Sequence, residues 1–169
     1  MKKMIKYSVV PFLLIVIFIF FYDFPKKIEV TRPTVSFNEK DPSTLKDTFI
    51  HVSGSLSRPL FRNHVFEGSI IIDGIEKTVK YETMDIEVLK NNNEVNMGNL
   101  VYNTSSTYAT MLGIIWFDDN FYDISILGVN TEDKQKEIVY IVTGESYEEA
   151  LSTLKKMKNK YGSGFINFE

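Results

Sequence analysis

The chain has 169 residues, 44% hydrophobic, 24% charged and 14% aromatic, which fits one globular domain plus an added segment. It has no cysteine, which excludes a disulfide framework, a thiolate zinc site, a cysteine nucleophile and a lipid-bearing cysteine. The net charge of −3 is uneven: setting aside Lys2, Lys3, Lys6, Lys26, Lys27 and Asp23 leaves 14 bases and 21 acids after residue 27, a net of −7 that argues against nucleic-acid binding.

Residues 7–22 (YSVVPFLLIVIFIFFY) carry no charge and are nearly all Phe, Ile, Leu and Val. At about 1.5 Å per residue this run reaches ~24 Å, short of a ~30 Å hydrocarbon core. Extension to Pro25, with Lys6 and Lys26 snorkelling and Tyr7 and Tyr22 at the interfaces, makes a span feasible. A transmembrane helix over residues 7–25, in contact with membrane lipid, is therefore expected. A cleaved signal peptide would need small residues at the exit, yet Phe20, Phe21, Tyr22, Asp23 and Phe24 stand there, so the segment reads as an uncleaved signal anchor. The short lysine-rich tail, residues 1–6, is expected in the cytoplasm, which places the rest of the chain outside a single-pass cell-membrane anchor.

Residues 26–46 contain Pro33, Pro42 and the turn-like Asp41-Pro42-Ser43, and read as a stalk or, since proline is confined to sheet edges, an edge strand. Residues 48–56 alternate as a strand. Residues 65–82 read as a hairpin around Asp73-Gly74, a pair favoured in type I′ turns, with Ile72 facing Ile75 and Phe66 facing Tyr81. Further strands are expected at 86–90, 96–102, 109–117, 121–127 and 137–143, separated by Asn, Asp and Gly clusters. Two of them, MLGIIWF and IVYIVT, are apolar on both faces and so should be central and need a covering layer. Residues 146–161 supply it as an amphipathic helix, with Ser146 and Glu149 as a capping box, lysines in the second half and Gly162 as the stop. The expected fold is α+β: an N-terminal transmembrane helix, then a largely antiparallel β-sheet domain over residues 47–169 with one C-terminal amphipathic helix.

Motifs for chemistry are sparse. No G-x-S-x-G occurs, and His51 reads as a half-buried or surface strand residue. Residues 58–64 (RPLFRNH) form the most compact cationic stretch outside the C-terminal helix; Arg58, Arg62 and His64 could receive a carboxylate or phosphate, with Phe61 as an apolar anchor. Asp118, Asp119, Asn120 and Asp123 offer hard oxygens but lack the glycine and distal glutamate of a calcium loop, so a hairpin turn is expected there. The pairs Asp85 with Glu87 and Glu132 with Asp133 read as solvated charges. No catalytic residue, cofactor or metal is assigned.

With the N-terminal segment, residues 60–74 (LFRNHVFEGSIIIDG) resemble a pattern in small membrane-anchored proteins of Gram-positive bacteria, carried mainly by phenylalanine, glycine and the hairpin. The resemblance implies a bacterial envelope setting and brings no activity with it. The function expected is a non-enzymatic binding or accessory module of the envelope, contacting an envelope protein or polymer. The alternative is an envelope hydrolase whose carboxylates converge only in three dimensions.

Overall fold

The computed structural model describes residues 2–38, 41–105, 108–130 and 137–165. Helix α1 (Lys2–Phe21) precedes β1 (Lys26–Asn38), β2 (Asp41–Ser57) and β3 (Val65–Ile72). A short helix α2 (Glu76–Lys80) and three short strands follow: β4 (Glu82–Thr83), β5 (Ile86–Glu87) and β6 (Lys90–Asn92). Then come β7 (Val95–Asn103), β8 (Ala109–Asp118), β9 (Ile124–Asn130), β10 (Glu137–Thr143) and α3 (Tyr147–Tyr161). The described strands form one antiparallel sheet in the order β4-β7-β8-β9-β10-β1-β2-β3-β5, with β6 also on β7. The fold is α+β, a curled antiparallel sheet with a C-terminal helix.

The transmembrane expectation is overturned. Among the described residues no helix is long and apolar enough to cross a membrane. Of α1 (Lys2–Phe21) the uncharged part is residues 7–21, which contains Pro11 and reaches about 22 Å against a ~30 Å core. Residues 7–10 and the lysine-rich tail lie outside the residues whose side chains are described. The single-pass membrane localisation is accordingly not supported, and lipid contact through residues 7–25 loses the span it rested on.

Residues 26–38 are not a stalk: β1 pairs with β2 along its length and with β10 over Thr34–Asn38, so only its first half lies at an edge. Pro33 is tolerated there for a geometric reason. A strand residue's N–H and C=O point to the same side, and the Pro33 carbonyl accepts from Gly144 N at 3.0 Å, just past the last β10 pair, Thr34 with Thr143. The missing N–H thus falls where the β10 ladder has ended.

The hairpin over residues 65–82 also needs correction. The turn at Asp73-Gly74 is present, with Gly74 at φ +82° and Ile75 N bonded to Ile72 O at 3.1 Å, but α2 replaces the second arm. The buried Thr78 hydroxyl accepts from Ile72 N at 2.9 Å and lies 3.0 Å from Ile72 O, taking the place of a strand partner. Thr83 Oγ1 likewise accepts from Ile70 N at 2.9 Å. A hairpin turn with both central residues at positive φ is found instead at Asn93 (+48°) and Glu94 (+67°), joining β6 to β7.

The two ends of the curled sheet are bridged by residues 82–92. Glu82 and Thr83 pair with β7, Ile86 and Glu87 with β3, and Lys90 to Asn92 with β7 again. The buried Tyr102 hydroxyl donates to Ile70 O at 2.7 Å across the closure, and burial raises its pKa so that it stays a donor. Inside the curl lies a core that includes Ile50, Phe66, Ile70, Leu100, Phe117 and Phe121. Gly54 and Gly68 pair directly between β2 and β3; a Cβ on either would sit 3.0 Å from the Phe66 ring and closer still to facing backbone.

A second core lies outside the sheet, where Val35, Trp116, Tyr140 and Val142 meet Ala150, Leu154, Met157 and Tyr161 of α3. The helix forms as its sequence predicts. Ser146 Oγ accepts from Glu149 N at 3.3 Å, and Gly162 closes the C-terminus. Asn92 and Asn93 donate to the carbonyls of Tyr161 and Lys160, so the β6–β7 turn satisfies the end of α3. The strands MLGIIWF and IVYIVT, in β8 and β10, are both interior to the sheet as their two-sided apolarity requires.

Candidate functional site

The loop after β2 holds the four residues singled out from sequence, and their chemistry turns inward. Arg62 pairs with Asp23, and Arg58 Nη1 lies 3.4 Å from Asp119 Oδ2. Arg58 N also donates to Asp23 O at 2.6 Å. Phe61, 61% exposed, stacks on Phe20 with ring centroids 4.4 Å apart. His64 accepts from Val88 N through its carbonyl, and its Nδ1 is buried with no partner. Arg58, Phe61 and Arg62 thus brace the exit of α1 against the sheet domain, and His64 joins the loop to the closing segment.

The Asp118 to Asp123 turn spreads its oxygens among different tasks. Asp118 Oδ1 accepts from Tyr122 N at 2.7 Å and Asp123 N at 3.2 Å, while Asp119 Oδ1 accepts from Asn96. Lys26 bonds Asn120, and Lys156 Nζ lies 2.5 Å from Asp123 Oδ2. Phe121, at φ +56°, is buried and stacks on Phe117 at 4.2 Å. Burial holds the Asp118 carboxyl above its ordinary pKa, and the backbone bonds oppose that shift. Among the described residues no three His, Cys, Asp or Glu side chains are placed to hold a metal ion. Glu132 and Asp133 lie outside the described residues.

His51 sits half-buried on β2, its Nδ1 3.0 Å from Thr31 Oγ1 and its Nε2 3.3 Å from Asp73 Oδ1. A threonine hydroxyl, an imidazole and a carboxylate are thus joined in that order on exposed surface.

The geometry assembles a different candidate site. A cleft of about 330 Å³ opens between β1, the β8–β9 turn, the end of β10 and the first turns of α3. Its shape follows from local contacts. Gly144 brings the chain so close to α3 that a Cβ there would lie 2.6 Å from Ala150 N. Glu149 Oε2 accepts from Glu145 N at 2.9 Å, tying the turn to the helix. Along one wall the Arg32 guanidinium lies 5.3 Å from the Tyr122 ring centroid. Arg32 Nε is buried without an acceptor, and among the described residues the guanidinium has no carboxylate partner.

The other charges of the lining are arranged around that cation. Lys156 is already paired with Asp123, whereas Glu145 and Glu149, also in the lining, are exposed and without a cation among the described residues. Ser152 and Thr153 add hydroxyls, and no histidine lines the cleft. Such a lining can hold and orient a polar molecule.

Sequence reasoning did not find this cleft. Arg32 falls in the segment read as a stalk or edge strand, and Tyr122 in the strand expected at 121–127. Their meeting depends on segments about ninety residues apart in sequence, which no local spacing encodes. Compared with protein-family models, curated proteins and solved structures, the chain matches none.

Proposed function

We propose that this chain is a binding module and not an enzyme, and that it receives a small polar ligand in the cleft between β1 and α3. The observation that carries the reading is Arg32: a guanidinium 5.3 Å from the Tyr122 ring centroid, without a carboxylate partner among the described residues, in the lining of a cleft of about 330 Å³. A ligand acceptor would give it the charge-assisted hydrogen bond that Arg58 and Arg62 find within the chain. The volume is at the lower end of small-molecule sites. The paired Asp123 and Lys156 and the lack of a lining histidine favour holding over turnover.

The test is a ligand-observed NMR screen of small polar molecules against the wild type and Thr153→Trp, whose indole would fill the cleft. Molecules that bind the wild type, fail to bind the folded variant and are recovered unchanged support the reading. Equal binding to both proteins, or conversion of a bound molecule to product, contradicts it.

A further inference from the structure

Resting on the cleft as the ligand site, we infer that its ligand is a small amphoteric molecule bearing one carboxylate and one ammonium group, of amino-acid size. The lining carries two cations, Arg32 and Lys156, against three acids, Asp123, Glu145 and Glu149, a net of −1. Lys156 and Asp123 neutralise each other at 2.5 Å, which leaves Arg32 and two glutamates as the uncompensated charges of the lining.

That distribution excludes the simpler ligands in turn. A phosphate brings two negative charges into a cleft that is already negative, and only Arg32 is free to meet it. A monocarboxylate could form the planar two-point contact that a guanidinium favours, but it would then face Glu145 and Glu149 with no compensating charge. A simple amine satisfies the glutamates and leaves the Arg32 guanidinium without a carboxylate. A molecule with both groups offers each charge of the lining its opposite. The Tyr122 ring lies 5.3 Å from the guanidinium, and the Ser152 and Thr153 hydroxyls supply acceptors for ammonium protons.

The experiment is a titration of the full-length protein, followed by backbone amide NMR at Tyr122, Gly144 and Thr153. The probes are glycine, β-alanine and γ-aminobutyrate, whose charge separation increases along the series, with butyrate and butylamine as single-charge controls. At least one amphoteric probe should bind about tenfold more tightly than either control, the size of one added charge-assisted hydrogen bond. Arg32→Gln should abolish its advantage over butylamine, and Glu145→Gln its advantage over butyrate. If butyrate binds as tightly as every amphoteric probe and Glu145→Gln changes nothing, the amphoteric ligand is wrong while the cleft remains a binding site. If no probe moves a cleft amide, the inference and the binding reading both fail.

Discussion

Asp118 shows at the scale of one residue how the β8–β9 turn balances burial against hydrogen bonding. Burial raises its pKa in the folded protein, and the amides of Tyr122 and Asp123 lower it less. With the folded value above the unfolded one, the native state binds the proton more tightly. Stability contributed by this group is present at low pH and is lost as pH rises through the folded pKa. An asparagine keeps the Oδ1 acceptor and removes the buried charge. Asp118→Asn should therefore be more stable than wild type at pH 7, with the advantage disappearing at pH 3, as read by urea unfolding at both pH values. A variant less stable at pH 7 would show that attraction to Lys156 outweighs desolvation.

At the scale of the element, the edge of β3 is finished by side chains. Thr78 and Thr83 occupy the backbone groups of Ile72 and Ile70 that a hairpin partner would have taken. Thr78→Val keeps the shape and removes the hydroxyl, and should cost about 1–3 kcal/mol in chemical denaturation because it orphans buried backbone groups. Thr78→Ser, which retains the hydroxyl, should lose only about the value of a methyl group, ~1 kcal/mol. Equal losses would mean that the hydroxyl contributes no more than its packing. This substitution of hydroxyls for a ladder is what the sequence hides. The pair Asp73-Gly74 signalled its turn correctly, but the alternation after it was equally compatible with Thr78 folding back in a helical turn. Asn93 and Glu94 form the I′-like turn without any glycine: the asparagine cluster before Glu94 signalled a turn but not its type. By contrast α3 was legible to its caps, because Ser146, Glu149 and Gly162 act through local bonds. The interior strands β8 and β10 were legible for the same reason: two-sided apolarity is written in the strand itself. The cleft was not legible, since Arg32 and Tyr122 acquire meaning only when β1 enters the sheet.

At the scale of the molecule, the two cores together hold the sheet and α3, and among the described residues neither includes one of α1. The described contacts joining α1 to the domain include the stack of Phe20 on Phe61, and the Asp23 bonds to Arg58 and Arg62 lie just beyond the helix. A chain beginning at Asp23 keeps those bonds and both cores. It should unfold in one cooperative transition, with a midpoint within about 5 °C of the full chain, as differential scanning calorimetry would show. Loss of the transition would make α1 part of the folding unit. The cleft, built from β1, the β8–β9 turn, the end of β10 and α3, should survive the same truncation.

The claim on which the account turns is that Arg32 waits for a ligand while Arg58 and Arg62 each hold a carboxylate within the chain. The protein has three arginines, Arg32, Arg58 and Arg62, so its Nε–Hε NMR spectrum carries its own controls. On titration with γ-aminobutyrate, β-alanine, glycine and butyrate, the Arg32 resonance should shift saturably with at least one of them while those of Arg58 and Arg62 stay in place. Three resonances drifting together, or an Arg32 resonance indifferent to every probe, would contradict the cleft as the binding site.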